Sequence, residues 1–498
     1  MNVTITPEEM RLTEQRWMAE TGVPGALLME HAAQGVVQAL RRHTGPARVI
    51  FLCGPGNNGG DGYAAARLWQ AEGGRAQVLE LTDQLRGDAL MNRRLALIEG
   101  VSVAPLTADA PLEGCAAVVD ALYGTGLSRE LDGTAAQLIR RVNASGLPVV
   151  AVDIPSGLDG LTGRVRGCAV EATETVTFHR IKPGLLLGDS ARHTGRITRH
   201  SILLPADEGP RDGLRILEPE DLPRLIPPRP ADAHKGSMGR VVILAGSEGM
   251  AGAAAFCAAA AVKTGAGLTS VLCRRAVLPV VQAQAPEATC TLLPEAEGRL
   301  TPDAAEVLAR ALRGADAAVV GCGLGQSEDL LPLMKLLREA ACPVVWDADA
   351  LNLLAAHGEL LPLPANAVVT PHPGEAARLL GCSTADVVAD PLAALRRLHE
   401  RCGCGVLLKG ARSLMTDGTA LAVNRHGTPA LAKGGSGDVL SGILGALLAR
   451  RLPCDPLEVT QLAALIHGLA GLRCAAALGE NCLTPTALVD AIRLDDRP

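Results

Sequence analysis

Short, β-branched runs that are apolar almost without interruption alternate with longer Ala/Leu-rich stretches along this chain, and the alternation breaks only once. Strands that are apolar at every position, rather than at every second one, are buried on both faces, as parallel strands beneath helices are. The longer stretches then serve as the crossover helices that parallel pairs require. The pattern predicts strands over 48–52, 76–81, 116–120, 148–153, 174–179 and 196–204, with helices such as 63–72 and 134–143 between them. The break is 205–235, PADEGPRDGLRILEPEDLPRLIPPRPADAHK, dense in proline and acid and without periodicity. Beyond it, strands are predicted over 240–245, 268–273, 317–321, 343–347, 367–370, 405–409 and 420–424, and helices over 252–264, 328–340, 437–450 and 459–471. The expected architecture is α/β, with two doubly wound domains at 1–213 and 214–498.

Composition narrows the function. A net charge of −6 gives no basic field for nucleic acid or an anionic membrane, and 2% aromatics leave no platform for stacked bases. The 14 cysteines are scattered, with no CxxC pair and only Cys402 and Cys404 as a CxC, so neither zinc nor a disulfide framework is expected. They read as thiols in a reducing cytoplasm. The N-terminus is polar and acidic, unlike a secretory leader. The longest unbroken apolar run, 251–262, ends at Lys263, short of the roughly 20 residues of a membrane span. A cytoplasmic homo-oligomer acting on small molecules is expected, with neither nucleic acid nor membrane as partner.

Polar residues gather where strands end. The loop GPGNNGGDGY, 54–63, follows the first strand and opens a helix. Its glycines allow backbone N–H groups to approach a phosphate, although it is neither a Walker A loop nor GxGxxG. A tight turn explains the glycines but not Asn57, Asn58 and Asp61. DALYGTGLSRE begins at Asp120, and VDIPSGLDG carries Asp153 and Ser156. Ligands of parallel sheets sit beyond the carboxyl ends of strands. Asn58, Asp120 and Ser156 offer there a hard-oxygen set for an alkali or alkaline-earth cation. Singly each is a loop cap; together they point to a site. Asp153 lies where an acid or base would meet a ligand.

In the second half, HKGSMGRVVILAGS, GCGLG, WDADALN and TPHPGE occupy further strand ends, bringing Asp347, Asp349, Asn352, His372 and Glu375 there. His372 stands between two prolines that fix its loop. The strongest signal is KGGSGDVLSGILGALLA, 433–449. Gly434, Gly435 and Gly437 permit an anion nest at a helix N-terminus, and Asp438 stands in the first turn. An aspartate favoured by the helix dipole would not require GGSG. A carboxylate beside a transferring phosphoryl group deprotonates an attacking hydroxyl.

The order LME (28–30), GPGNNGGDG, DALYGTGLSR and VDIPSG resembles the NAD(P)H-hydrate epimerase domain, a Rossmann-like three-layer sandwich. The resemblance implies that Asn57, Asn58, Gly59, Gly60, Asp61, Gly124, Thr125, Gly126, Leu127, Ser128, Arg129, Glu130 and Asp153 contact the hydrated nucleotide. It also implies that Asn58, Asp120 and Ser156 hold K⁺. GGSGD before an alanine-rich helix resembles the ribokinase-like superfamily. With HKGSMG, HPGE and KGARS in order, the half is similar to ADP-dependent NAD(P)H-hydrate dehydratases. That resemblance implies Ala253, Gly323, His372 and Asp438 at the hydrate. Lys409, Gly410, Ala411, Arg412, Ser413 and Gly437 would hold ADP, with Mg²⁺. The chain departs from the family pattern at Ala33, Ala245, Cys322, Ser413 and Lys433.

Together the resemblances imply an enzyme that epimerises the R and S hydrates and dehydrates the S form while ADP becomes AMP and phosphate, with Asp153 and Asp438 as the catalytic candidates. A kinase of a small hydroxylated metabolite would use the same nest and aspartate but has no need of the first half. A non-catalytic nucleotide sensor would not require either aspartate.

Overall fold

In the computed structural model, which describes residues 2–495, the apolar runs become two separate sheets. The chain divides into a unit of Val3–Leu214 and a unit that runs from Arg215 onward together with Asn2.

The first unit holds a seven-stranded, wholly parallel sheet. Its order is Ser102–Pro105, Arg75–Glu80, Arg48–Cys53, Ala117–Ala121, Val149–Val152, Glu174–Phe178, Arg196–His200. Side chains of one strand alternate between faces. Val49 and Phe51 therefore join a core with Ala33, Val36 and Leu40 of helix Gly25–His43. Ile50 and Leu52 join another with Leu138 and Ile139 of helix Gly133–Ala144. Strand order turns back between Arg48–Cys53 and Ala117–Ala121, which opens a crevice at their carboxyl ends.

Helix Asn57–Ala71 starts earlier than the 63–72 expected, inside the glycine-rich loop. Packing, not propensity, sets that start. A Cβ at Gly54 would lie 1.7 Å from the Leu122 carbonyl oxygen, and one at Gly59 would lie 1.9 Å from the Gly54 carbonyl oxygen. The backbone closes down where side chains would have kept it apart.

The second sheet runs Arg215–Ile216, Leu421–Asn424, Ser413–Thr416, Gly405–Leu408, Val368–Val369, Val344–Trp346, Ala317–Val320, Arg240–Leu244, Leu268–Cys273, Thr289–Leu292. It is parallel from Gly405–Leu408 to the Thr289–Leu292 edge, and Ser413–Thr416 is antiparallel to both its neighbours. Its order turns at Arg240–Leu244 and Ala317–Val320. Helices Ala251–Lys263 and Ser436–Ala449 meet closely here, because a Cβ at Gly442 would stand 2.2 Å from the Cys257 carbonyl oxygen.

Helix Pro456–Leu478 has 23 residues, longer than the 459–471 expected, and is apolar enough to cross a membrane by length and composition. Leu457, Leu462, Leu465 and Ile466 bury themselves in the core of this unit, which accounts for its composition as a core helix.

Leu217, Leu222 and Leu225, all within the proline-rich break, are also buried in that core. Expressed separately, residues 1–214 and 215–498 are expected to be soluble and to melt cooperatively. A second fragment begun at residue 230 should melt lower, since each lost leucine contact costs roughly 2–5 kcal/mol. Equal melting of the two versions by calorimetry would contradict the packing described.

Candidate functional site

Each sheet carries a polar constellation at its turning point. In the first unit, Asp120 ends strand Ala117–Ala121 and is 0% exposed. Its Oδ1 accepts from the Ser156 hydroxyl at 2.6 Å, and its Oδ2 from the Ser156 N–H at 2.7 Å. The Tyr123 N–H donates to Ser156 Oγ at 2.9 Å. Burial pushes Asp120 up to about 6, and the Ser156 hydrogen bonds pull against that rise. No side-chain cation pairs with it among the described residues. Asn58 reaches the same loop, since a Cβ at Gly124 would lie 3.1 Å from the Asn58 Cγ. The Asn58 amide nitrogen is buried without a partner. A half-turn of the amide exchanges that nitrogen for an acceptor oxygen. A buried carboxylate without a counter-charge, a hydroxyl and an orphaned amide suit a monovalent cation.

Asp153 follows strand Val149–Val152 in the left-handed region, with φ 61°. A non-glycine residue there is held by its surroundings, and such positions concentrate at functional sites. Its Oδ1 accepts from Lys182 Nζ at 2.6 Å and from the Thr177 hydroxyl at 2.9 Å. Lys182 is 1% exposed and also donates to the Phe178 carbonyl at 3.1 Å and to Thr177 at 3.2 Å. Asn57, Asn58, Gly59, Gly60 and Asp61 form the opening turn of helix Asn57–Ala71, which no side chain caps. Asp61 is raised well above the usual carboxylate range, by burial first and then by Asp153 and Glu14. Gly124, Thr125, Gly126, Leu127, Ser128, Arg129 and Glu130 lie in the loop after Ala117–Ala121. Thr125 faces Gly160, whose Cβ would stand 3.4 Å from the Thr125 methyl carbon.

In the second unit, helix Ser436–Ala449 begins behind Gly435 at φ 95°, again without a side-chain cap. Its first N–H groups are left for an anion. The His467 ring, lowered to about 4 by burial, donates from Nε2 to the Ser436 carbonyl at 3.0 Å and braces the turn. A Cβ at Gly437 would be 3.3 Å from Lys409 Nζ, so the ammonium sits at this turn. Lys409 donates to Asp347 Oδ1 at 2.7 Å, and the Ser441 hydroxyl donates to Asp347 Oδ2 at 2.6 Å. Burial works against the Lys409 charge, but Asp347 and Glu375 outweigh it and hold it above the usual lysine value.

Asp438 is pushed up to about 6, by burial first and by Asp347 second. The Cys322 thiol, which hydrogen-bonds Asp438, and the Lys409 ammonium act in the opposite direction. Asp349 adds to the repulsion while accepting from the Gly325 N–H at 2.8 Å. Carboxylates in mutual repulsion favour a nearby positive charge, which Lys409 supplies in part.

The structure brings Ala253 against Gly323, whose Cβ would lie 2.8 Å from that of Ala253. His372 caps helix Pro373–Leu380, its Nδ1 accepting from the Gly374 N–H at 3.0 Å. Lys409 directly follows strand Gly405–Leu408, Gly410 and Ala411 form the turn after it, and Ser413 begins the next strand. The Arg412 guanidinium is turned to the Arg425 carbonyl, and burial lowers it to about 10. Lys433 is turned away, donating to the Leu483 carbonyl at 2.6 Å and the Asn481 carbonyl at 3.2 Å. Its ammonium ties down the neighbouring loop.

Lys182, Glu14 and Ser441 escape a reading of the sequence. Lys182 lies past a turn that follows the last apolar run of its neighbourhood, and Ser441 is inside a helix. A polar residue beside a proline shortly after a strand, as in IKPG, was the available signal for Lys182.

Similar proteins fit this two-part arrangement. A profile described as NAD(P)H-hydrate dehydratase matches residues 241–494, and one described as YjeF-related protein N-terminus matches residues 25–184. The bifunctional NAD(P)H-hydrate repair enzyme Nnr of Escherichia coli is 38% identical over 94% of this chain and 88% of its own length. That of Moorella thermoacetica is 36% identical over 98% and 95%. Among solved structures, a ribokinase-like superfamily protein from Enterococcus faecalis superposes with a TM-score of 0.50 at 27% identity, covering 56% of this chain and 94% of its own.

Proposed function

The chain belongs to the bifunctional NAD(P)H-hydrate repair enzyme family, and from that premise we propose what each constellation does. The first unit epimerises the R and S hydrates of NADH and NADPH. The second dehydrates the S form, converting ADP to AMP and phosphate. Reduced nicotinamide that has added water carries a hydroxyl on C6, beside the ring nitrogen. That nitrogen expels the hydroxyl, and water returns to either face. Asp153 serves as an acid/base group there, and Lys182 fixes its orientation. Asn58, Asp120 and Ser156 would hold K⁺, which would supply positive charge to the pocket. Asn57 to Asp61 and Gly124 to Glu130 form the walls.

In the second unit Asp438 takes the proton from the hydrate hydroxyl as its oxygen attacks the terminal phosphorus of ADP. AMP leaves. The phosphate ester then eliminates more readily than hydroxide would, and the dihydronicotinamide is restored. Asp438 and Asp349 are the carboxylates that would hold Mg²⁺, which would supply positive charge for the transferring group. The N–H groups beyond Gly435 and the Lys409 ammonium receive the phosphates. Lys409 to Ser413 flank the adenosine, while Ala253, Gly323 and His372 contact the hydrate. Fusion supplies the stereospecific dehydratase with both epimers. We place this chemistry in a reducing cytoplasm, in a homo-oligomer.

The observation that carries this reading is one chain holding two turning-point sites, matched along nearly its whole length by relatives with the same two parts. The test is chemically hydrated NADH with ADP and Mg²⁺, following recovery of dihydronicotinamide absorbance. No recovery from either epimer would overturn it.

The cation role has its own test. Asp120→Asn keeps one of the two acceptor oxygens that Ser156 uses and removes the charge. A unit charge at contact contributes about 1 kcal/mol in water and about 4 kcal/mol near a protein surface. The K⁺ concentration for half-maximal epimerisation is therefore expected to rise about tenfold or more, with dehydration of S-hydrate unchanged. An epimerisation defect indifferent to K⁺ would remove the cation from the site.

A further inference from the structure

Epimerisation needs two proton movements. The departing hydroxyl must gain a proton to leave as water, and the incoming water must lose one as its oxygen bonds to C6. Asp153 supplies one acid/base group. The second is found on helix Pro7–Thr21, outside the residues that the family profile matches.

That helix is pinned to the pocket. The Ile5 N–H donates to the Ile181 carbonyl at 3.0 Å, next to Lys182. A Cβ at Gly160 would lie 2.8 Å from Pro7 and 3.4 Å from Thr125, so the helix start rests on the substrate loop. Thr6 and Glu9 close a capping box that fixes its first turn. Met10, Trp17 and Met18 pack on the core of the unit. Glu14 is four residues from Met10 and Met18 and three from Trp17, which places it on the same inward stripe. Glu14 is half-buried on that stripe.

It has no hydrogen bond or ion pair among the described residues. The charged groups whose fields act on it are Lys182 and Asp153, and Asp61 is acted on by all three. Three carboxyl groups thus feel the field of one buried ammonium, which of the three hydrogen-bonds only Asp153. Burial and like charge together favour the protonated form of Glu14.

We propose that Glu14 is the second acid/base group of the epimerisation pocket, giving a proton to the C6 hydroxyl as it departs while Asp153 takes one from the water that replaces it. The C6–O bond breaks with its electron pair on the departing oxygen, and the ring-nitrogen lone pair forms the C=N bond. The new C–O bond returns that pair to nitrogen. One turnover leaves the proton on Asp153 instead of Glu14, the state from which the reverse direction starts. This inference rests on the epimerase reading of the first unit.

Burial pushes Glu14 up to about 7; Lys182 resists the rise and Asp153 adds to it. The pair works with one proton between its members, so kcat/KM in either direction should fall as pH rises through about 7. The test follows interconversion of purified R and S hydrates by chromatography, in the full chain without ADP, across about pH 5 to 9. Glu14→Gln is expected to lose about 10²–10⁴ in kcat, with KM little changed and the alkaline limb gone. Glu14→Asp should recover much of the rate with the limb displaced. Where Glu14→Gln does not fold, Glu14→Asp alone decides, through that displacement. ADP-dependent dehydration of S-hydrate monitors the other unit. A Glu14→Gln rate within a few-fold of wild type, or a slow variant with the wild-type pH profile, would overturn the proposal. A wild-type chain that dehydrates S-hydrate but never interconverts epimers would overturn the epimerase reading itself, and this inference with it.

Discussion

Asp438→Asn is expected to abolish dehydration while nucleotide binding and epimerisation persist. Asparagine keeps the size and the place in the first helical turn but cannot take a proton from the hydrate. Loss of a general base costs roughly 10²–10⁴ in rate. ADP should bind as well or better, because uncapped N–H groups behind Gly435 and the Lys409 ammonium receive its phosphates, and a repelling charge is gone. Calorimetric titration of ADP and single-epimer turnover decide the matter. Normal dehydration would remove Asp438 from the chemistry, and joint loss of ADP binding would make it a support of the turn.

The same residue sets a pH dependence whose sign is fixed. Asp438 is raised to about 6 by burial and by Asp347, so its base form fills as pH rises through about 6. Dehydration in the wild type should climb through that value and then level. Because the folded-state value lies above that of an unfolded chain, the ionised carboxylate costs stability. That cost is absent below about pH 4 and complete above about pH 6, reaching up to about 3 kcal/mol. The helix N-terminus offsets about 0.3–1 kcal/mol of it. At neutral pH the asparagine variant should therefore melt at the same temperature or higher, although it is inactive.

Central strands were legible because burial on both faces leaves a continuous apolar run, as in RVIFLC of Arg48–Cys53. Ser102–Pro105 and Thr289–Leu292 were not, because an edge strand is buried on one side at most and both are largely half-exposed or exposed. Ser413–Thr416 went unread for another reason. It is an antiparallel strand entered within a few residues of Lys409, where a ligand loop and a hairpin have the same small and polar composition. The aspartates at strand ends were legible because chain order alone puts Asp120 and Asp153 at the carboxyl edge of one parallel sheet and Asp347 at that of the other. What depends on side-chain direction was not. The Asp153–Lys182 pair spans 29 positions and a turn, and Glu14 reaches the pocket from a helix far upstream. Cys322 likewise looks like a local departure from the family pattern until its thiol is seen against Asp438.

Lys182→Met should disable epimerisation as thoroughly as removal of Asp153. The ammonium is buried and orients the Asp153 carboxylate through its 2.6 Å bond. Without it Asp153 stands among Asp61 and Glu14 with no counter-charge, and breaking one side of a buried pair costs about 3–5 kcal/mol. A rate loss of about 10²–10⁴ is expected, because orientation and charge fail together. Asp153→Asn should match it in rate. Asparagine tolerates the left-handed backbone, so the geometry survives, but the lysine loses its counter-charge and stability falls. Combining the two separates structure from chemistry. The double variant has neither buried charge left alone, so its melting temperature should recover toward wild type while epimerisation stays lost. Dehydration of S-hydrate, performed by the other unit, should be normal in all three. Thermal melts and epimer chromatography on the four proteins complete a double-mutant cycle, in which a coupling of about 3 kcal/mol or less is the usual range for residues in contact. Stability losses that simply add would mean that Lys182 and Asp153 act independently. A double variant that regained activity would mean that the pair serves the fold and another group carries the proton.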